Sequence, residues 1–216
     1  MNKGFRVGLL FMALITCLIC ALTALLYEVQ SKIIIISFIV ILGLNIILWR
    51  RKLSKGLLYA HNLLNILGAI TFGYIISNIT AHSKDALIGL IIGYVAMDVF
   101  SFTRRGEYLP NSKLINQKDM LARLSISLPL PELKGLFPII GIGDMAYYSM
   151  ITMSTLKACG ISELITIMSI LFIGQLLNIG CILIISSKKW YKGFPATLMP
   201  GVLFLISIIT NFIKIN

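Results

Sequence analysis

The stretch Gly141-Ile142-Gly143-Asp144-Met145-Ala146-Tyr147-Tyr148-Ser149-Met150, GIGDMAYYSM, puts a carboxyl group inside an otherwise apolar run. Whether that run lies in lipid decides the fold, because an ionised Asp at mid-bilayer costs about 2.5–3.5 kcal/mol on insertion scales. The 216-residue chain is 58% hydrophobic and 12% charged, with mean hydropathy +0.94. Soluble domains hold about 45–50% apolar and about 25% charged residues. The composition predicts an integral membrane protein.

A hydrocarbon core of about 30 Å takes about 20 apolar residues per helix. Working outward from Asp144, seven runs of this kind are separated by charge, Pro or Asn clusters: Phe5 to Tyr27, Ile33 to Trp49, Gly56 to Thr80, Ala86 to Phe102, Gly135 to Leu156, Ile161 to Ile185 and Gly193 to Ile213. Backbone groups in lipid must be satisfied internally, so the expected fold is an all-α bundle of about seven transmembrane helices. It divides into residues 1–102 with four spans, a loop over 103–134, and residues 135–216 with three spans.

Fifteen of the 19 basic residues fall on one set of loops, including Lys3, Arg50, Arg51, Arg104, Arg105, Lys113, Lys188 and Lys192; the other four are Lys32, Lys84, Lys157 and Lys214. Basic residues near span ends stay on the cytoplasmic side. The N-terminus is therefore expected inside and the C-terminus outside. This bias accounts for the +11 net charge without a nucleic-acid partner; anionic head groups of membrane lipids are the more economical one.

The first run follows Lys3 and Arg6 as a signal peptide would, but it exceeds an h-region of about 7–15 residues and reads as a retained span. Cys17 and Cys20 have C-x-x-C spacing within that span, and Cys181 lies within the sixth, which points to neither a disulfide framework nor a redox motif. His61 and His82 are far from any cysteine cluster, so no metal site is expected. Asn78-Ile79-Thr80 matches a glycosylation sequon but abuts a span end.

Glu28, Asp85, Glu107, Asp119, Glu132 and Glu163 lie in loops or at span ends. Asp98 and Asp144 do not. At about 1.5 Å per helical residue, Asp98 is about 9 Å from the edge marked by Arg104, and Asp144 about 13 Å from the edge at Gly135. The fourth and fifth spans run in opposite directions, so the two carboxyls fall at similar depths in the cytoplasmic half and can face one another. Such a pair can share one proton: the ionised member deprotonates a water that attacks an amide carbonyl, and the protonated member polarises that carbonyl. No metal or cofactor is required. Gly141 and Gly143 would let a substrate backbone approach. Spacing alone equally allows a proton relay in a transporter or a structural hydrogen-bonded pair, and membrane glycines also serve helix packing.

GIGDMAYYSM resembles the G-x-G-D segment of the presenilin and signal-peptide-peptidase family of intramembrane aspartyl proteases, with Tyr147, Tyr148 and Ser149 following as in presenilins. Asp98, in YVAMDVFSF, falls where that family has its other aspartate; Met97 replaces the family's tyrosine, and Tyr94 stands one turn earlier. The family's Pro-Ala-Leu element is matched by FPATLMPG, with Pro195 and Ala196 in place, Thr197 where leucine is usual, and Leu198 next. The similarity runs from about Ile88 to Ile206, and the family's usual nine spans leave the first two without a counterpart. The resemblance implies an aspartic endopeptidase with Asp98 and Asp144 catalytic. Gly141, Gly143, Tyr94, Tyr147, Pro195, Ala196, Thr197 and Leu198 would shape the site, with single-span membrane proteins or signal and leader peptides as substrates and no cofactor. Nothing in the sequence identifies an accessory subunit.

In the loop, Met120, Leu121, Leu124 and Ile126 are spaced for a short interfacial helix before Pro129 and Pro131; the loop reads as a tether on the head groups or as a segment that pairs with an unwound substrate strand. The alternatives are a prepilin-peptidase-type G-x-G-D protease, which lacks the Pro-Ala element, and a proton-coupled transporter, for which the chain shows no internal repeat. A retinal-binding seven-helix protein is a poor fit, because the last run has no mid-span lysine and Lys214 is at its very end.

Overall fold

A computed structural model describes residues 3–51, 54–103, 106, 117–129, 136–186, 194–213 and 215. Arg104, Arg105, Lys113, Lys134, Lys188, Lys189 and Lys192, and with them much of the long loop, lie outside the described residues. Helices α1 (Lys3–Ala24), α2 (Ser31–Trp49), α3 (Lys55–Thr80) and α4 (Lys84–Ser101) come first. A short helix α5 (Lys118–Arg123) leads into a hairpin of β1 (Ser125–Pro129) and β2 (Leu136–Gly141). Helices α6 (Ile142–Cys159), α7 (Leu164–Ile185) and α8 (Leu198–Ile209) complete the fold.

The helix starts are written locally. Ser54 and Ser83 precede α3 and α4 and accept the Leu57 and Ala86 amides at 3.3 and 3.2 Å, satisfying donors that a helix N-terminus leaves open. Gly160, at φ 96°, ends α6 in a backbone conformation that suits glycine.

Helix α6 is the centre: every residue from Met145 to Leu156 is buried. It packs against α3 on one side and α1 on another, while α7 pairs with α8 and α4 leans on α8. Close approach of α3 and α6 depends on Gly73, where a Cβ would lie 2.6 Å from Ser149 Oγ. The outer helices are apolar on the outside: α2 buries only Ile34 and exposes Ile35, Ile36, Ile39, Ile46 and Ile47. Water would reject such a surface, whereas hydrocarbon accepts it. The protein is a helical, membrane-embedded one.

Four helices, rather than seven, are long and apolar enough by themselves to cross a bilayer among the described residues: Val7–Ala24, Ser31–Trp49, Gly56–Thr80 and Ile161–Ile185. Three runs differ for separate reasons. The fourth carries Lys84, Asp85 and Asp98. The fifth, expected as a helix from Gly135, is strand β2 up to Gly141 and helix only from Ile142; α6 is also rich in Ser and Thr, which its neighbours shield. The seventh is cut to 12 residues by the turn at Pro195–Thr197 and by Asn211 at φ 55°.

The hairpin also departs from a purely α fold. A helix forms where the short loop helix was expected, but it stops at Arg123 because the next residues enter β1. One edge of β1 pairs antiparallel with β2, and α3 supplies the partner for the other. Asn62 Nδ2 donates to Ser127 O at 2.9 Å and its Oδ1 accepts the Ser127 amide at 3.1 Å. One turn on, Asn65 Nδ2 donates to Arg123 O at 2.7 Å. Arg123 in turn donates to Trp49 O and Arg51 O, at 3.2 and 2.9 Å, taking up carbonyls that the end of α2 leaves open.

Candidate active site

The strand before Asp144 changes how the carboxyls meet. Extended residues advance about 3.3 Å each rather than about 1.5 Å, so counting helical rise from Gly135 does not place Asp144. It lies instead in the first turn of α6, as Asp98 lies in the last turn of α4. The two half-buried carboxyls line one cavity of about 390 Å³ with Leu90, Gly93, Tyr94, Met97 and Gly143. They also line an adjoining space of about 240 Å³ with Phe102, Leu121, Leu124, Gly141, Ile142, Phe194 and Ala196.

Each carboxylate sits at a helix N-terminus, where backbone N–H groups and the dipole favour negative charge. Asp144 Oδ2 accepts the Gly141 amide at 3.2 Å, closing the turn between β2 and α6. Asp98 lies at the start of α8. Its Oδ2 accepts the Thr197 amide at 3.0 Å and the Thr197 hydroxyl at 2.7 Å, and the Ala196 amide also bonds to this carboxylate.

The Pro195–Ala196–Thr197 turn is held from behind. Asn178 Nδ2 donates to Pro195 O at 3.0 Å and Ala196 O at 2.6 Å, and its Oδ1 accepts the Met199 amide at 3.2 Å. The Tyr148 hydroxyl donates to Ala196 O at 2.9 Å, and Gln175 Nε2 bonds to that hydroxyl. Gly174 makes this reach short enough, since a Cβ there would lie 2.8 Å from Pro200 N. Pro200 is tolerated because the first helical turn needs no N–H from it.

Tyr94 joins the two aspartate helices: its hydroxyl donates to Gly143 O at 3.0 Å and its ring stacks on Tyr147 with centroids 5.0 Å apart. The expected site residues thus meet, with different parts. Gly143 and Gly141 line the aspartate space, and a Cβ at either would crowd Tyr94 Oη at 3.3 Å or Asp144 Oδ2 at 3.2 Å. Tyr147 is buried behind Tyr94, and Leu198 opens α8 without lining either aspartate space. Pro195 acts through its carbonyl, Ala196 lines the smaller space, and Thr197 touches Asp98 itself. His61 belongs elsewhere, 3.4 Å from Arg123 Nη1. The sequon is folded away: Asn78 Oδ1 accepts from Lys157 at 2.6 Å and Thr80 is buried.

Sequence reasoning missed Gln175, Asn178, Tyr148 and Asn62. A signal was present for the first two, because amide side chains three residues apart in a strongly apolar helix share a face and need partners. Comparison with family models, with curated proteins and with solved structures finds no match to this chain.

Proposed function

We propose that this chain is an intramembrane aspartyl protease of the presenilin-like kind, in which Asp98 and Asp144 hydrolyse peptide bonds of membrane-spanning substrates by way of a water. The observation that carries this reading is the shared cavity: two carboxyls from different helices, with no basic side chain among the described residues lining it. Two carboxyls so placed can divide acid and base work between them.

The hairpin supports the same reading. Asn62 occupies one edge of β1, while β2 has no second strand partner among the described residues and runs directly into the Asp144 turn. An extended peptide added along β2 would be carried toward the carboxyls, and strand addition needs only backbone groups. Beside the aspartate cavity lies an apolar cleft of about 260 Å³, lined by residues including Phe38, Ile41, Phe72 and Ala146, which shares Tyr94 and Gly143 with it. That cleft suits the apolar flank of a single-span substrate or a leader peptide.

In this reading all seven apolar runs cross the membrane: the polar groups of α4 and α6 face the bundle or its cavity, and the 12-residue α8 covers its run together with the Pro195–Thr197 turn that precedes it. The N-terminus and the C-terminus then fall on opposite sides, cytoplasmic and outer, and the aspartates and hairpin lie toward the cytoplasm. The test is purified protein in liposomes with a single-span substrate, compared with Asp98→Asn and Asp144→Asn. Cleavage by the wild type, abolished in each variant while membrane insertion persists, is the expected result. Proton flux without any cleaved peptide would make the acidic pair a transporter relay.

A further inference from the structure

The usual leucine of the Pro-Ala-Leu element cannot donate a side-chain hydrogen bond, and Thr197 can. As the residue preceding α8 it would ordinarily turn its hydroxyl back to cap that helix. It makes no such bond; the hydroxyl donates to Asp98 Oδ2 at 2.7 Å and the amide to the same oxygen at 3.0 Å. Thr197 is fully buried, so neither donor has water as an alternative. The turn carrying them is fixed at its carbonyl ends by Asn178 and Tyr148. Asp144, by contrast, is held by the Gly141 amide at 3.2 Å.

We infer that Thr197 is a positioning residue that makes Asp98 the water-activating base and leaves Asp144 as the proton donor, a division of labour that rests on the protease reading above. Donors directed at a carboxylate favour its charged form, and among the described residues Asp98 has the larger set, one of them the Thr197 side-chain hydroxyl. In the first step Asp98 takes a proton from water as the water oxygen bonds to the substrate carbonyl carbon, and Asp144 gives its proton to the carbonyl oxygen. In the second, Asp98 returns its proton to the amide nitrogen, the C–N bond breaks, and Asp144 recovers a proton from the gem-diol as the carbonyl re-forms. One water is consumed and both carboxyls end as they began. Among the described residues, the titratable groups around Asp98 are Asp144, Tyr147 and Tyr148 on α6 and Tyr94 on α4.

The experiment measures kcat, KM and the pH profile of the wild type, Thr197→Val and Thr197→Ser in liposomes. Valine keeps the shape and the amide and removes the hydroxyl. Its kcat should fall on the order of ten- to a hundredfold with KM little changed. The acid limb of its profile should move to higher pH by about one unit, because a charge-stabilising donor is lost. Serine should restore both. A Thr197→Val enzyme with wild-type kcat and profile, or a loss that serine does not repair, overturns the inference. An infrared measurement needs no substrate: the carboxylate band lost in Asp98→Asn should shift in Thr197→Val and return in Thr197→Ser. A band indifferent to Thr197 overturns the inference whatever the chain cleaves. A wild type that cleaves nothing while the band still responds sinks the protease reading and leaves the Thr197 contact intact.

Discussion

Replacing Asn178 by leucine should undo the turn that serves Asp98. The side chain makes three hydrogen bonds, at 3.0, 2.6 and 3.2 Å, to the Pro195 and Ala196 carbonyls and the Met199 amide. A buried hydrogen bond contributes about 1 kcal/mol net in soluble proteins and about 0.6 kcal/mol on average in a membrane bundle. Three together give about 2–3 kcal/mol, or roughly 30- to 150-fold in the equilibrium between docked and released turn. The Ala196 carbonyl keeps Tyr148 as a donor, so the Pro195 carbonyl and the Met199 amide bear most of the loss. Gln175→Leu is the internal comparison. Its amide bonds the Tyr148 hydroxyl and reaches Ala196 O only at 3.5 Å, while its Oε1 is buried with no hydrogen-bond partner among the described residues. Removing an unsatisfied acceptor offsets the bond lost, so under about 1 kcal/mol is expected. Equilibrium unfolding in detergent gives the two stabilities, and the infrared carboxylate band of Asp98 shows whether Thr197 still serves it. An Asn178→Leu protein that unfolds like the wild type, or loses no more than Gln175→Leu, would refute the view that this amide holds the turn.

Gly73→Ala should destabilise the bundle by about 1–3 kcal/mol through overpacking, because the new Cβ would lie 2.6 Å from Ser149 Oγ and 2.7 Å from Ala146 O. Gly43→Ala, in open space on α2, should leave the detergent melting temperature unchanged or raise it. In a cysteine-free background, a cysteine at Gln117 should react with an impermeant thiol reagent from the cytoplasmic side, and one at His82 from the outer side, both positions being exposed. Labelling of both from one side would overturn the proposed orientation.

The membrane class was legible from composition alone, since 58% hydrophobic residues leave no aqueous solution for the chain. So were the starts of α3 and α4, which Ser54 and Ser83 announce by a short-range bond. Asp98 and Asp144 could be singled out because a carboxyl in an apolar run needs a reason. Tertiary structure decided what that reason consists of. The run before Asp144 has the apolarity of a helix, yet Asn62, over sixty residues earlier, pairs with Ser127 and helps make the neighbouring segment an edge-capped hairpin. Thr197 read as a departure from a motif until the fold set it, 99 residues along the chain, against Asp98. Sequence periodicity reports which residues avoid water, because that preference belongs to each side chain. Which donor meets which acceptor depends on the approach of distant helices, and that is fixed by small residues such as Gly174 and Gly73, whose importance lies in the neighbours they admit.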